Sequence, residues 1–104
     1  MKKITLTCAH AIVKYLISQK ILIKGKKEPL FPGVFGIFGH GNVACLGQAL
    51  EENQKDLPTF RGHHEQNMAL TGIAYARAKR RQQIFVATSS VGPGATNMIT
   101  AAAV

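Results

Sequence analysis

This sequence of 104 residues predicts an α/β fold, three layers in the order α/β/α around a parallel sheet. Three observations carry that reading. Segments 33–39, GVFGIFG, and 84–88, IFVAT, are apolar runs bounded by turn formers, the pattern of strands covered on both faces. Helical periodicity alternates with them over about 43–53 and 65–80. A glycine-rich turn, SSVGPGATN, follows the second run and leads into a helix of small residues.

Taken in order, Thr7 is an N-cap for a first helix that runs to Ser18 or Lys20, with Ala9, Ile12, Val13 and Leu16 forming its apolar stripe. The lysine-rich stretch around Gly25 reads as a turn or loop, ended by Pro29 and Pro32. After the 33–39 strand comes a helix from Val43 to Asn53, in which Cys45 reads as buried. Pro58 separates it from a short strand, Thr59 to Gly62, and a long helix follows from Glu65 to Arg80. Within that helix, Ile73 and Tyr75 read as packing residues. Three parallel strands make a narrow sheet, and the closing AAAV carries no stop signal, so the chain reads as a domain incomplete at its carboxyl end.

Composition narrows the function classes. A hydrophobic content of 46% argues for a packed core. Cys8 and Cys45 are the only cysteines and form no C-x-x-C, which indicates neither a disulfide framework nor a thiolate zinc site and points to a reducing cytoplasm. Met1-Lys2-Lys3 faintly imitates a signal peptide, but Lys14 interrupts the apolar run and no cleavage site follows. No apolar stretch reaches the roughly 20 residues that cross a bilayer. The net charge of +8 is concentrated at Lys20, Lys24, Lys26 and Lys27 and at Lys79, Arg80 and Arg81. The second cluster suits a helix carboxyl terminus, and without interleaved aromatics or a recognition motif the charge reads as a solvated surface, not a nucleic-acid site.

Two motifs carry chemistry. GHHEQNMALTGIAYARA, 62–78, places Glu65 and Gln66 at the start of a helix that ends in Tyr75-Ala76-Arg77, and GPGATN, 92–97, follows the next strand. Together they resemble the pyrimidine-binding domain of the acetolactate synthase and pyruvate oxidase group of thiamine diphosphate enzymes. GVFGIFGHGNVACLGQAL, 33–50, and TSSVGPGATNM, 88–98, bring the chain nearer to one subgroup, the trihydroxycyclohexane-dione hydrolases of inositol catabolism. Compared with acetolactate synthase, Phe38 stands where proline is usual, Ala74 where glycine is usual, and the loop before GPG is two residues longer.

The resemblance implies a thiamine diphosphate-binding fold, truncated within its pyrimidine domain, from an enzyme that hydrolyses a carbon–carbon bond of a cyclic 1,2-diketone. It implies that Glu65 is the catalytic carboxyl group, hydrogen bonding to N1′ of the cofactor's aminopyrimidine so that the cofactor's own amino group can act as the base. A helix amino terminus favours the charged carboxylate by about 0.3–1 kcal/mol, whereas burial against a ring favours the neutral acid. Gly92, Pro93 and Gly94 would let the backbone approach the cofactor and Asn97 would hydrogen bond beside it, while His40, Gly41 and Asn42 are substrate-contact candidates by position. The diphosphate and its Mg2+ belong to a separate domain, whose G-D-G motif is not in this sequence, and a second subunit of a homo-oligomer would complete the active site. The chain by itself is therefore expected to be inactive.

Other readings stand beside these. An isolated glutamate at this position would only cap a helix, and GPG alone would be a turn. His63 and His64 are adjacent on extended backbone, point to opposite sides and lack a third ligand, so no metal site is expected. No G-x-x-x-x-G-K-[ST] loop and no Ser-His-Asp or Cys-His constellation is present. The enzyme rival is an acetolactate synthase-like carboligase, and the rival from another class is a non-catalytic interaction module using an open sheet edge or the basic loop to bind a partner.

Overall fold

The computed structural model describes residues 2–39 and 41–104. Helix α1 (Cys8–Ser18) begins where the Thr7 hydroxyl accepts a hydrogen bond from the amide of His10 at 3.2 Å, the N-cap arrangement expected of a threonine there. Its buried side is formed by Val13 with Ala9, Leu16 and Ile17. Ile12, expected in that stripe, is instead exposed, because one residue is a 100° turn and the stripe is centred on Val13.

The lysine-rich stretch is not a loop. It forms an antiparallel hairpin, β1 (Lys20–Ile23) and β2 (Lys26–Pro29), with Ile23 paired to Lys26. Lys24 and Gly25 make the two-residue connection with φ of 52° and 81°, the paired left-handed conformations that match strand twist in a tight hairpin. A lysine in the first of those positions hides the turn from a sequence reading that looks for asparagine or aspartate.

The second sheet has three parallel strands in the order β4-β3-β5: β3 (Val34–Gly36), β4 (Thr59–Arg61) and β5 (Val86–Thr88). β3 and β5 are shorter than their apolar runs. Ile37 to Gly39 leave β3 as a loop, and Ile84 and Phe85 precede β5. Val34 pairs with Thr59 and Val86, and Phe35 with Phe60 and Ala87, so alternate residues serve opposite faces. On one face Val34 and Val86 pack with Val13, Ala49, Leu50 and Leu57. On the other, Phe35 stacks on Phe85 at 4.6 Å between ring centres, and Tyr75 meets Phe85 edge-on at 4.7 Å. Tyr75 thus packs as its sequence context suggests.

The expected helix 43–53 is two pieces. A π-helical turn, Val43–Gly47, feeds α2, Gln48–Glu52. The amide of Gly47 bonds the carbonyl of Asn42 at 2.6 Å, the five-residue span of a π turn. A side chain at Gly47 would crowd that same carbonyl, at 3.2 Å, and the Phe38 ring. The wide turn carries Cys45 outward, so this cysteine is exposed and not buried; Ala49 and Leu50 take the core positions.

Helix α3 (Glu65–Ala78) stops two residues before the expected Arg80. Arg80 and Arg81 have φ of 53° and 62° and close the helix, with the amide of Arg81 bonded to the Ala76 carbonyl at 2.6 Å. Helix α4 (Pro93–Ala102) packs along α3. The result is α1 and α2 on one side of the sheet and α3 and α4 on the other, the three layers read from the alternation of elements. No helix of the described residues is long and apolar enough to cross a membrane.

Candidate functional site at the carboxyl ends of the parallel strands

All three strand-to-helix connections leave the same end of the sheet, with 37–39 and 41–42 after β3, 62–64 after β4 and 89–92 after β5. Hydrogen bonds knit their bases together, from the Ile37 amide to the Thr88 carbonyl at 3.2 Å and from the Gly62 amide to the Gly36 carbonyl at 3.3 Å. The loops after β3 and β5 lead to helices on opposite faces of the sheet, and at such a switch point open α/β sheets bind ligands in the crevice between the loops.

Glu65 is the first residue of α3 and lies at this crevice. Its side chain is only 8% exposed, and Ser90 Oγ, from the loop after β5, donates a hydrogen bond to its Oε2 at 3.3 Å. Gly94 closes the arrangement from below. A Cβ there would overlap both the Glu65 carboxyl group and the Ser90 hydroxyl, so the carboxyl group occupies the volume that any other residue at 94 would fill. That is a physical reason for the second glycine of GPG, beyond turn flexibility. The amino end of α3 adds a favourable field for the carboxylate, because the first amides of a helix point outward unpaired.

The remaining candidates divide. Asn42 Nδ2 donates to the Ser89 carbonyl at 3.2 Å, which ties the loop after β3 to the loop after β5; in this structure its side chain is engaged in holding the crevice together. Gly41 and Gly92 have φ of 82° and 71° on exposed turns, and a side chain at either would meet open space. Pro93, the first residue of α4, is exposed, and Asn97, one turn further on, is half-buried. His40 lies outside the described residues. His63 and His64 are both exposed. Among the described residues no group of three or more His, Cys, Asp or Glu is placed to hold a metal.

Ser90 was not among the residues the motifs single out. A hydroxyl one or two residues past a strand, in a loop facing the amino end of a neighbouring helix, is the signal that points to it, but serines are too common in such loops for that signal to stand alone.

The Glu65 carboxyl group is thus buried over Gly94 and beside Ser90, between the loop after β4 and the loop after β5. The chain belongs to the thiamine pyrophosphate enzyme family, matching the model of its N-terminal TPP binding domain over residues 7–104. It is 53% identical over 103 residues to 3D-(3,5/4)-trihydroxycyclohexane-1,2-dione hydrolase of Geobacillus thermodenitrificans (strain NG80-2). It is 50% identical over the same length to the proteins of that name from Clostridium tetani (strain Massachusetts / E88) and Bacillus thuringiensis (strain Al Hakam). These matches cover 99% of this chain and 16% of each relative.

Proposed function

We propose that this chain supplies the pyrimidine-binding side of a thiamine diphosphate-dependent hydrolase that opens trihydroxycyclohexane-1,2-dione, a cyclic 1,2-diketone, in inositol catabolism. The observation that carries the reading is the buried Glu65 carboxyl group, set on Gly94 at the crevice where the strand order reverses. The names of the relatives supply the substrate.

When bound, thiamine diphosphate supplies a nucleophilic carbon for attack on a carbonyl, chemistry that no side chain here provides. The role of the chain is to bind and orient. Glu65 holds or moves a proton at a carboxylate oxygen facing the pyrimidine ring. Gly92, Pro93 and Gly94 would let the backbone approach the ring, Asn97 would offer a donor and an acceptor beside it, and His40, Gly41 and Asn42 would contact substrate. Removing Glu65 from water strengthens its hydrogen bond to a ring nitrogen relative to an exposed one. The diphosphate and Mg2+ belong to a further domain, the facing half of the site to a second subunit, and the assembly to the cytoplasm. In this reading the 104 residues are part of the pyrimidine domain and do not turn over substrate by themselves.

Glu65→Gln in the full-length protein tests the reading. The substitution keeps shape and removes the proton relay, so the rate of ring opening should fall by about 100-fold or more, while thiamine diphosphate still binds. Hydrolysis at the unaltered rate in that variant would overturn the proposal. Ring opening without carboligation distinguishes the hydrolase from a carboligase of the acetolactate synthase kind.

A further inference from the structure

We infer that Ser90 is a positioning residue for the Glu65 carboxyl group, fixing Oε2 so that Oε1 is the oxygen presented to the ligand; the inference rests on the thiamine reading of Glu65 above. Ser90 Oγ lies 3.3 Å from Oε2, and among the described residues Oε1 has no such partner. The contact is longer than an ordinary hydroxyl–carboxylate hydrogen bond, as catalytic hydrogen bonds often are before the site is filled.

Ser90 is not a free loop serine. Its Cβ lies 3.0 Å from where a side chain on Gly39 would begin, so the loop after β3 presses against it. The neighbouring Ser89 carbonyl is held by Asn42 Nδ2. The line of support therefore runs from Asn42 through the backbone of Ser89 to the Ser90 hydroxyl and on to Glu65. Gly94 keeps the space beneath the carboxyl group clear, and Ser90 sets its rotation about the last side-chain bond. That torsion is broad and weakly determined for glutamate unless a partner fixes it.

The test uses the full-length protein with Ser90→Ala, Ser90→Thr and Glu65→Gln. One readout is the rate at which the C2 proton of bound thiamine diphosphate exchanges into D2O, followed by NMR after acid quench. The other is the orientation of the Glu65 carboxyl group in crystals of each variant without cofactor. Ser90→Ala should slow exchange about tenfold, the effect of losing one hydrogen bond to a charged group, and should leave the carboxyl group turned or disordered. Ser90→Thr, which keeps the hydroxyl, should recover most of the rate. The inference fails if alanine and threonine slow exchange equally, if the loss follows a fall in thermal stability, or if the carboxyl group keeps its place in Ser90→Ala. A Glu65→Gln variant that exchanges at the wild-type rate would instead remove the thiamine reading itself.

Discussion

The two sides of the parallel sheet are built to different standards of closure. Toward α1 and α2, Val13, Val34, Ala49, Leu50 and Leu57 are at most 2% exposed. Toward α3 and α4, the aromatic layer of Phe35, Phe60, Phe85 and Tyr75 is well stacked, but an apolar groove of about 510 Å³ remains between the helices above β5, lined by Gly72, Ile73, Phe85, Ala87, Met98 and Ile99 among others. The side that carries Glu65 and the GPG turn is thus the less tightly packed one. Glu65 and Gly94 stand on α3 and α4, the two helices that line the groove.

The largest effect that tests this contrast comes from the core. Leu50→Ala or Leu57→Ala should lower unfolding free energy by about 2–5 kcal/mol, the range for a buried leucine that leaves a cavity. Ile99→Ala in the groove, where the side chain is 67% exposed, should stay within about 0.5 kcal/mol. Urea denaturation of the chain measures both, and equal losses would show that the two sides are packed alike.

Next is Gly94→Ala, which separates the site from the scaffold. The added methyl group occupies the place of the Glu65 carboxyl group, while alanine is about 1 kcal/mol better than glycine in a helix. Thermal stability should therefore change by about 1 kcal/mol or less, and thiamine diphosphate-dependent hydrolysis by the full-length protein should fall by about 100-fold. Retained hydrolysis would mean that the carboxyl group need not lie where this structure holds it.

Where the chain's local chemistry and its tertiary contacts agree, the sequence is readable. Thr7, the alternation of strands with helices, the parallel sheet and the place of Glu65 follow from capping, periodicity and motif order. Several of the failures share one cause, which is backbone conformation carried by residues that do not advertise it. Lys24, Arg80 and Arg81 occupy left-handed conformations usually marked by glycine or asparagine, and Gly47 closes a π turn that ordinary helical spacing cannot reveal. Ser90 escaped for a different reason. Its partner is 25 positions away in sequence, and only the parallel register brings the two loops together.

Those left-handed residues supply a smaller test on the open side. Arg80→Gly and Arg81→Gly should each stabilise the chain by about 0.5 kcal/mol, because relief of roughly 1–2 kcal/mol of local strain is partly offset by the greater entropy that glycine loses on folding. Thermal denaturation reads the sign. A loss of stability in both would show that the arginine side chains contribute more than their backbone conformations cost.

The smallest effect belongs to the closed side and depends on pH. His10 Nε2 lies 2.6 Å from Glu52 Oε2, tying α1 to α2, and that hydrogen bond, with a second from Gln48, holds the Glu52 carboxyl below its ordinary value of 4.5. A depressed carboxyl contributes stability above the unfolded value and loses it as pH falls through the folded one, since the unfolded chain then takes up the proton first. Glu52→Gln should therefore flatten the fall in stability below about pH 4.5, with the variant slightly less stable than the parent at pH 7 and level with it once Glu52 is protonated in both states. Glu52 is a surface group, screened by water and salt, so the difference at neutral pH is small and shrinks as salt is added. Denaturation curves that stay parallel across that window would show that the tie between α1 and α2 carries no linkage to pH.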